Sequence, residues 1–291
     1  MANVRCGDDG ISAPHAAQIV VVPAVFHEWD RRGPPPWACP RADHDSYRVA
    51  WPLYQRTDPA DPVTYVPNRA YEAGVYLKYV VDHYNDLPEA MVFVQANTDI
   101  VLKHKVVKMS LARRINSLNV TALRKANINY LPMSDVFVPS RSPAHYDRRG
   151  HADEVRQCWL RVASWFGNGH VFTAGTDPTV GFYCCNYFMV LRESIWRHPL
   201  STWRGAYQAL VVNGRCADLP AAPQELVQGD LHLAHNHKKA GPATPESEAL
   251  PPDRDRGKHS AAGAFEHLAH LIWGDMHEAI YRGPKWSLQM G

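Results

Sequence analysis

The chain has 291 residues, 45% of them hydrophobic, a globular composition long enough for one large α/β domain or two small ones. Its 31 Lys and Arg stand against 29 Asp and Glu, so no global field draws it onto nucleic acid or an anionic membrane surface, although its 16 His shift that balance in acid. No window reaches the roughly 20 consecutive apolar residues of a membrane helix, and the opening MANVRCGDDGISAPHAAQIVVVP lacks a basic leader with an apolar signal core, so the default expectation is a cytoplasmic protein without an integral membrane segment.

In chain order, residues 1–17 read as a tail. QIVVVPAVF, from Gln18 to Phe26, is Val-rich like a strand buried on both faces. The Pro-rich run DRRGPPPWACPRADHD crosses the surface as a loop, and YRVAWPLYQR resumes as a strand whose Pro52 marks an edge or a bulge. PNRAYEAGVYLKYVVDHYNDLP predicts a helix with Asn68 as N-cap, Ala73, Leu77, Val80 and Tyr84 as core stripe and Pro88 as its stop. A second stripe, Glu72, Tyr76, Tyr79 and His83, is either a solvated face with amphipathic aromatics or the border of a site. AMVFVQ follows as a strand. Strand, loop, strand, helix, strand is the order of a parallel or mixed α/β sheet, which binds ligands beyond the C-terminal ends of its strands.

Further on, VVKMSLARRINSL predicts a helix, NINYLPMSDVF is ambiguous and SRSPAHYDRRG is a loop. ADEVRQCWLRVASWFG is a helix that turns Val155, Cys158, Val162 and Trp165 to one side and stops at Gly167. GFYCCNYFMVL alternates as one strand covered on both faces, in which the buried amide of Asn186 needs partners, either a neighbouring loop or a ligand. HPLSTWRGAYQALVV is helical and completes a core of residues 18–212. From 213 to 260 the composition turns to Pro, Ala, Gly, His and charge, a poor core former that reads as a partly disordered insertion. Residues 261–291 supply a closing amphipathic helix, with Glu266 and His270 on one face, and a tail. The six cysteines, at 6, 39, 158, 184, 185 and 216, show no CxxC spacing. On a strand the adjacent Cys184 and Cys185 point to opposite faces, so the pattern predicts buried thiols in a reducing compartment.

The chemistry concentrates in MVFVQANTDI, residues 91–100, a strand that empties into a turn holding one carboxylate, Asp99, with Asn97 two positions earlier. Divalent cations prefer paired carboxylates, and an Asp-x-Asp pair is missing here; Lys103, His104 and Lys105 are the nearby alternative for neutralising charge. His232, His235 and His237 suggest a metal hydrolase acting with Asp99 or Asp230, but no regular element puts all three on one face. A non-catalytic carbohydrate- or protein-binding domain would instead use an aromatic rim of Trp29, Trp37, Trp51 and Tyr54. Gly-rich phosphate loops, a Gly-x-Ser-x-Gly nucleophile and internal repeats are absent from the sequence.

Several of these blocks carry a resemblance. YQRTDPADPVTYVPNRAYEAGVYLKYVVDHYNDLPEAMVFVQAN, then GFYCCNYFMVLRESIWRHPLSTW, then FEHLAHLIWGD, with VVVPAVFHEWD ahead of them, resemble the uncharacterised domain-of-unknown-function family 3431 of fungi, algae and bacteria. The block order is more distantly similar to nucleotide-sugar glycosyltransferases of the metal-dependent three-layer type. That likeness implies a single three-layer α/β domain with a mixed, mostly parallel sheet, acting on a small-molecule or carbohydrate substrate. Carried over, Glu28 and Trp29 border the nucleotide with Asn97 and Asn186, Asp99 holds a divalent cation (manganese or magnesium), and Glu266 is the candidate base.

Overall fold

The computed structural model describes residues 19–29, 33–38, 47–50, 53–96, 111–134, 136–143, 152–172, 179–219 and 254–274. Its strands, in chain order, are β1 (Ile19–Ala24), β2 (Arg48–Val49), β3 (Ala90–Gln95), β4 (Tyr130–Pro132), β5 (Phe137–Arg141), β6 (Val180–Tyr183) and β7 (Phe188–Leu191). The helices are α1 (Glu72–His83), α2 (Leu111–Asn116), α3 (Val120–Lys125), α4 (Ala152–Trp165), α5 (Arg192–Trp196), α6 (Leu200–Ala206), α7 (Arg254–His267) and α8 (Ala269–Trp273).

The expected α/β architecture is present. A five-stranded mixed sheet has the order β2-β1-β3-β7-β4; β1 is parallel to β2 and β3, while β7 is antiparallel to both β3 and β4, so β7 alone runs against the rest. Strands β5 and β6 form a separate antiparallel pair. The period of two along each strand divides the core into two layers. Ile19, Val21, Ala90, Val92, Val94, Met189 and Leu191 face α2, α3 and the Trp29–Trp37 pair, whereas Val22, Met91, Phe93, Phe188 and Val190 face α1, α4, α6, α7 and α8. On this second side Trp203 stacks on Trp273 at 4.8 Å, and Trp273 lies 5.4 Å from Phe93.

Pro23 is tolerated in β1, an inner strand, for a local reason. The Val21 carbonyl faces β2, where it accepts from the Ala50 amide, and the Ala24 carbonyl faces β3, where it accepts from Ala96. By alternation Pro23 turns its missing N–H toward β2, whose pairing ends opposite Val21, so no ladder bond is lost.

Three expectations are corrected. Helix α1 begins at Glu72, and its N-cap is Tyr71, at φ 48° and ψ −136° with no side-chain cap; Asn68 instead accepts from Arg56 Nη1 at 3.1 Å. GFYCCNYFMVL is not one strand but two, in different sheets, broken by a turn at Cys184–Asn186 where Cys185 and Asn186 have φ of 79° and 54°. Because the chain turns there, the two cysteine side chains meet rather than diverge, and Cys184 and Cys185 are disulfide-bonded. A second bridge, Cys158–Cys216, ties α4 to the turn Cys216–Asp218 across 58 residues, so the described cysteines are all oxidised. On the chain-entropy model a loop of that length adds about 4 kcal/mol of stability. The insertion's residues 220–253, with the three His, lie outside the described residues.

Phe93 is fully buried against Tyr76, Tyr79, Phe188 and Trp273. Phe93→Ala should therefore cost about 3–5 kcal/mol, read as a lowered midpoint in urea unfolding; a loss below about 1 kcal/mol would show that this layer of the core is not held through that ring.

Candidate functional site

The row Met91, Phe93, Gln95 turns one face of β3 toward α1, and its last member is polar because it emerges at the C-terminal edge of the sheet. There Gln95 Nε2 donates to Glu72 Oε1 at 2.7 Å, and Gln95 Oε1 accepts from the Tyr187 hydroxyl at 3.2 Å. The two bonds fix which way the amide points. Glu72 reaches this position because it opens α1, which runs back along the strands and so begins at their C-terminal edge. One turn later Tyr76, fully buried, donates to the Asn186 carbonyl at 3.2 Å.

Two further elements close the site. Antiparallel β7 starts opposite Phe93, so the turn that precedes it, residues 184–187, falls beside Gln95. Helix α7 brings Glu266 to that turn, where Glu266 Oε1 accepts from the Cys185 amide at 2.8 Å. The loop after β2 supplies Arg56. Its backbone is held by the Gln55–Thr64 and Val66–Gln55 amide bonds, and its Nη1 is spent on Asn68. The guanidinium Nε and Nη2 are buried without a hydrogen-bond partner, as is Oδ1 of Asn186, a residue only 3% exposed.

The electrostatics follow from burial. Desolvation raises the Glu72 carboxyl above its ordinary range, against hydrogen bonds that include those of Gln95 and Asn186 and the charge of Arg56. Glu266 is raised by desolvation too and again by repulsion from Glu72, while the Cys185 amide and Arg141 oppose the shift. Arg56 is lowered by burial, with Glu72, Tyr76 and Glu28 acting to keep it charged. Both shifts favour the protonated form, and the repulsion adds to the cost of ionising the two carboxyls together. The strained backbone lies in the same place: Tyr71, Cys185 and Asn186, three of the four non-glycine residues with positive φ among those described, flank this cluster.

The sequence-derived candidates fall as follows. Glu266 and Asn186 are in the cluster. Glu28 is exposed at the end of β1, its Oε2 accepting from the Phe26 amide at 2.5 Å and its charge acting on Arg56. Trp29 is a core residue, 5% exposed, whose indole donates to the Ala96 carbonyl at 3.2 Å. Asn97 and Asp99 lie outside the described residues. Of the expected aromatic rim, Trp29, Trp37 and Tyr54 are buried and Trp51 lies outside the described residues. Among the described residues no group of three or more His, Cys, Asp or Glu is arranged to hold a metal.

Glu72 was legible as the first member of the stripe Glu72, Tyr76, Tyr79 and His83. Arg56 and Gln95 carried no signal: one is an arginine in a loop, the other the polar end of an apolar strand.

Against known proteins, the family model described as "Protein of unknown function (DUF3431)" matches residues 37–223. That span holds Arg56, Glu72, Gln95, Asn186 and Tyr187, with Glu28 and Glu266 outside it. No curated protein and no solved structure matches the chain.

Raised carboxyl pKa values make a signed prediction. The folded state keeps these protons to higher pH than the unfolded chain does, so their contribution to stability is complete below the ordinary value of 4.5 and is lost as pH rises through the folded values. Buried His270, pushed from 6.5 down to about 4, acts in the opposite sense as pH falls. The difference between variant and wild type is the readout that cancels it. Glu72→Gln and Glu266→Gln should each gain stability relative to wild type as pH rises above 4.5, measured by urea unfolding across the pH range; a flat difference would mean that the two carboxyls ionise at no extra cost.

Proposed function

The chain belongs to the DUF3431 family of proteins of unknown function, and on that premise we propose that it is a glycosyltransferase-like enzyme using a nucleotide sugar, with donor and acceptor meeting between Arg56, Glu72 and Glu266. The observation that carries the reading is the pair of half-buried carboxylic side chains set beside a guanidinium with unspent donors, at the C-terminal edge of the sheet. Glycosyl transfer asks for this combination. A base must take the acceptor's proton as its oxygen bonds to the anomeric carbon, and a cation must receive the nucleoside diphosphate as the old carbon–oxygen bond breaks.

In this reading Glu266 takes the acceptor proton. One of its oxygens is oriented by the Cys185 amide, and its raised pKa makes it a better proton acceptor than an ordinary carboxylate. Arg56 receives the leaving diphosphate through Nε and Nη2. Gln95, Glu72 and Asn186, tied to one another, hold sugar hydroxyls, since each is a polar group fixed at the strand ends. Phe26, 38% exposed just past β1, offers a ring face to the base, with Glu28 beside it. A divalent cation, manganese or magnesium, would be held by Asp99, which follows β3 in sequence. The glycosyltransferase-A fold is part of the same proposal, supported by the single reversed strand β7 between parallel β3 and β4.

The burial of three of the four rim aromatics leaves the non-catalytic binding domain without the surface it was to use. The two disulfides favour an oxidising compartment over the cytoplasm, and no helix among the described residues is long and apolar enough to cross a membrane.

The test is a thermal-shift screen with nucleotides and nucleotide sugars, with and without manganese. One nucleotide sugar should raise the melting temperature in proportion to the logarithm of its concentration above Kd. Arg56→Ala should weaken that binding roughly ten- to hundredfold, the worth of about 1.5–3 kcal/mol of charge-assisted hydrogen bonding. Glu266→Gln should keep the shift and lose transfer to acceptor. No shift from any nucleotide at millimolar concentration would end the proposal; a shift from free saccharide alone would replace it with a saccharide-binding domain.

A further inference from the structure

Two disulfides in one chain invite comparison. Cys158–Cys216 joins elements 58 residues apart, and Cys158 is 1% exposed inside the core layer of α4. Cys184–Cys185 joins neighbours in sequence, restrains a single peptide unit and leaves both residues half-buried at the cleft. Its stabilising effect on the unfolded chain is negligible by comparison, because closing so small a ring removes almost none of the chain's freedom. A bond that adds little to global stability and sits in reach of solvent beside polar site residues calls for another role.

The contacts around the turn specify one. Its edges are pinned: the Cys184 amide donates to the Val136 carbonyl at 2.9 Å, and the Asn186 carbonyl accepts from the Tyr76 hydroxyl at 3.2 Å. Between these pins lies the stretch with positive φ, 79° at Cys185 and 54° at Asn186, a conformation that side-chain-bearing residues rarely adopt. The S–S bond helps to hold the chain in it. The same stretch presents the Cys185 amide to Glu266 Oε1 at 2.8 Å and turns the buried Asn186 side chain to Glu72. The geometry of both carboxylates therefore depends on a peptide that the disulfide restrains.

We propose that Cys184–Cys185 is a redox-active site, opened selectively by a dithiol reductant, and that opening it releases the Cys185 amide from Glu266 and so disassembles the cleft. In the reaction a thiolate of the reductant attacks one of the two sulfurs, the other leaves as a thiolate, and the reductant's second thiol then displaces the first to form its own disulfide. Two electrons and two protons pass to Cys184 and Cys185, and the reductant leaves oxidised. The site rests on thiol chemistry and stands whether or not the cleft transfers a sugar.

The experiment equilibrates the purified full chain with graded ratios of reduced to oxidised dithiothreitol, quenches by alkylation and reads each cysteine by peptide mass. Cys184 and Cys185 should be alkylated together at a ratio at least about tenfold lower than Cys158 and Cys216. Hydrogen exchange in that intermediate range should show the amide at position 185 losing protection while β3 keeps its own. The C184S/C185S double variant should show the same loss at position 185 under oxidising conditions. The proposal fails if Cys184 and Cys185 are alkylated without reductant, if both bridges open together, or if the amide at position 185 stays protected once its bridge is open.

Discussion

Everything in this structure hangs on the complete burial of β3. Each residue from Ala90 to Val94 is at or near zero exposure, because helices cover both faces of the sheet and strands flank both edges of β3. Burying each of its large side chains contributes about 1.5–3 kcal/mol, and the strand cannot shift by one residue without exchanging its two faces. The register that results places Gln95 at the first point where the strand meets polar surroundings. Parallel β1, antiparallel β7 and the start of α1 converge on that point for the same reason: each is positioned by its own apolar contact with β3.

The cleft is the polar end of that arrangement. Glu72, Gln95, Asn186, Tyr187, Glu266 and Arg56 come from five separate segments; hydrogen bonds centred on Gln95 and the 184–187 turn join the first five, and Arg56 acts on Glu72 through its charge. Their partial burial raises both carboxyl pKa values and lowers that of Arg56. A set of this kind costs stability when its groups are left unsatisfied. Arg56 and Asn186 retain unsatisfied atoms, and the backbone strain at Tyr71, Cys185 and Asn186 adds about 1–3 kcal/mol per residue. These costs are gathered in one place, on well-packed elements.

The turn at Cys184–Asn186 also explains why a single apolar run serves two sheets. A continuous strand from Val180 to Leu191 would carry β6 and β7 into one ladder; the two positive φ values break it, sending β6 to β5 and β7 to β3. Helix α7 packs over this break, with Glu266 on the Cys185 amide and His267 against Phe182 and Trp159. Architecture and site thus share one feature, and the amide that binds Glu266 is available because its residue left the strand.

Much of the fold was legible from periodicity. Strands β1 and β3, helices α1 and α4 and the Gly167 stop, at φ 77°, follow from apolar spacing and chain-ending residues, since local pattern decides which face a segment must bury, whereas the closing segment, read as one helix, is two, α7 and α8, parted at Leu268. Asn186 could be singled out as an amide in an otherwise apolar run and the stripe of Glu72, Tyr76, Tyr79 and His83 as a candidate site border, whereas Glu266 entered through the glycosyltransferase resemblance. The break within GFYCCNYFMVL could not, because alternation of apolar residues is the same for one strand as for two, and backbone φ leaves no mark in composition. The Asn68 cap was lost to Arg56, a contact between residues twelve apart that only the folding of their loop creates. Sequence by itself determined the elements and the sidedness of each, through the free energy of burying one face. Tertiary structure alone decided that Arg56, Glu72, Gln95 and Glu266 lie together at the strand ends and that Cys184 meets Cys185, because proximity between distant segments and the conformation of a single turn depend on how the layers pack.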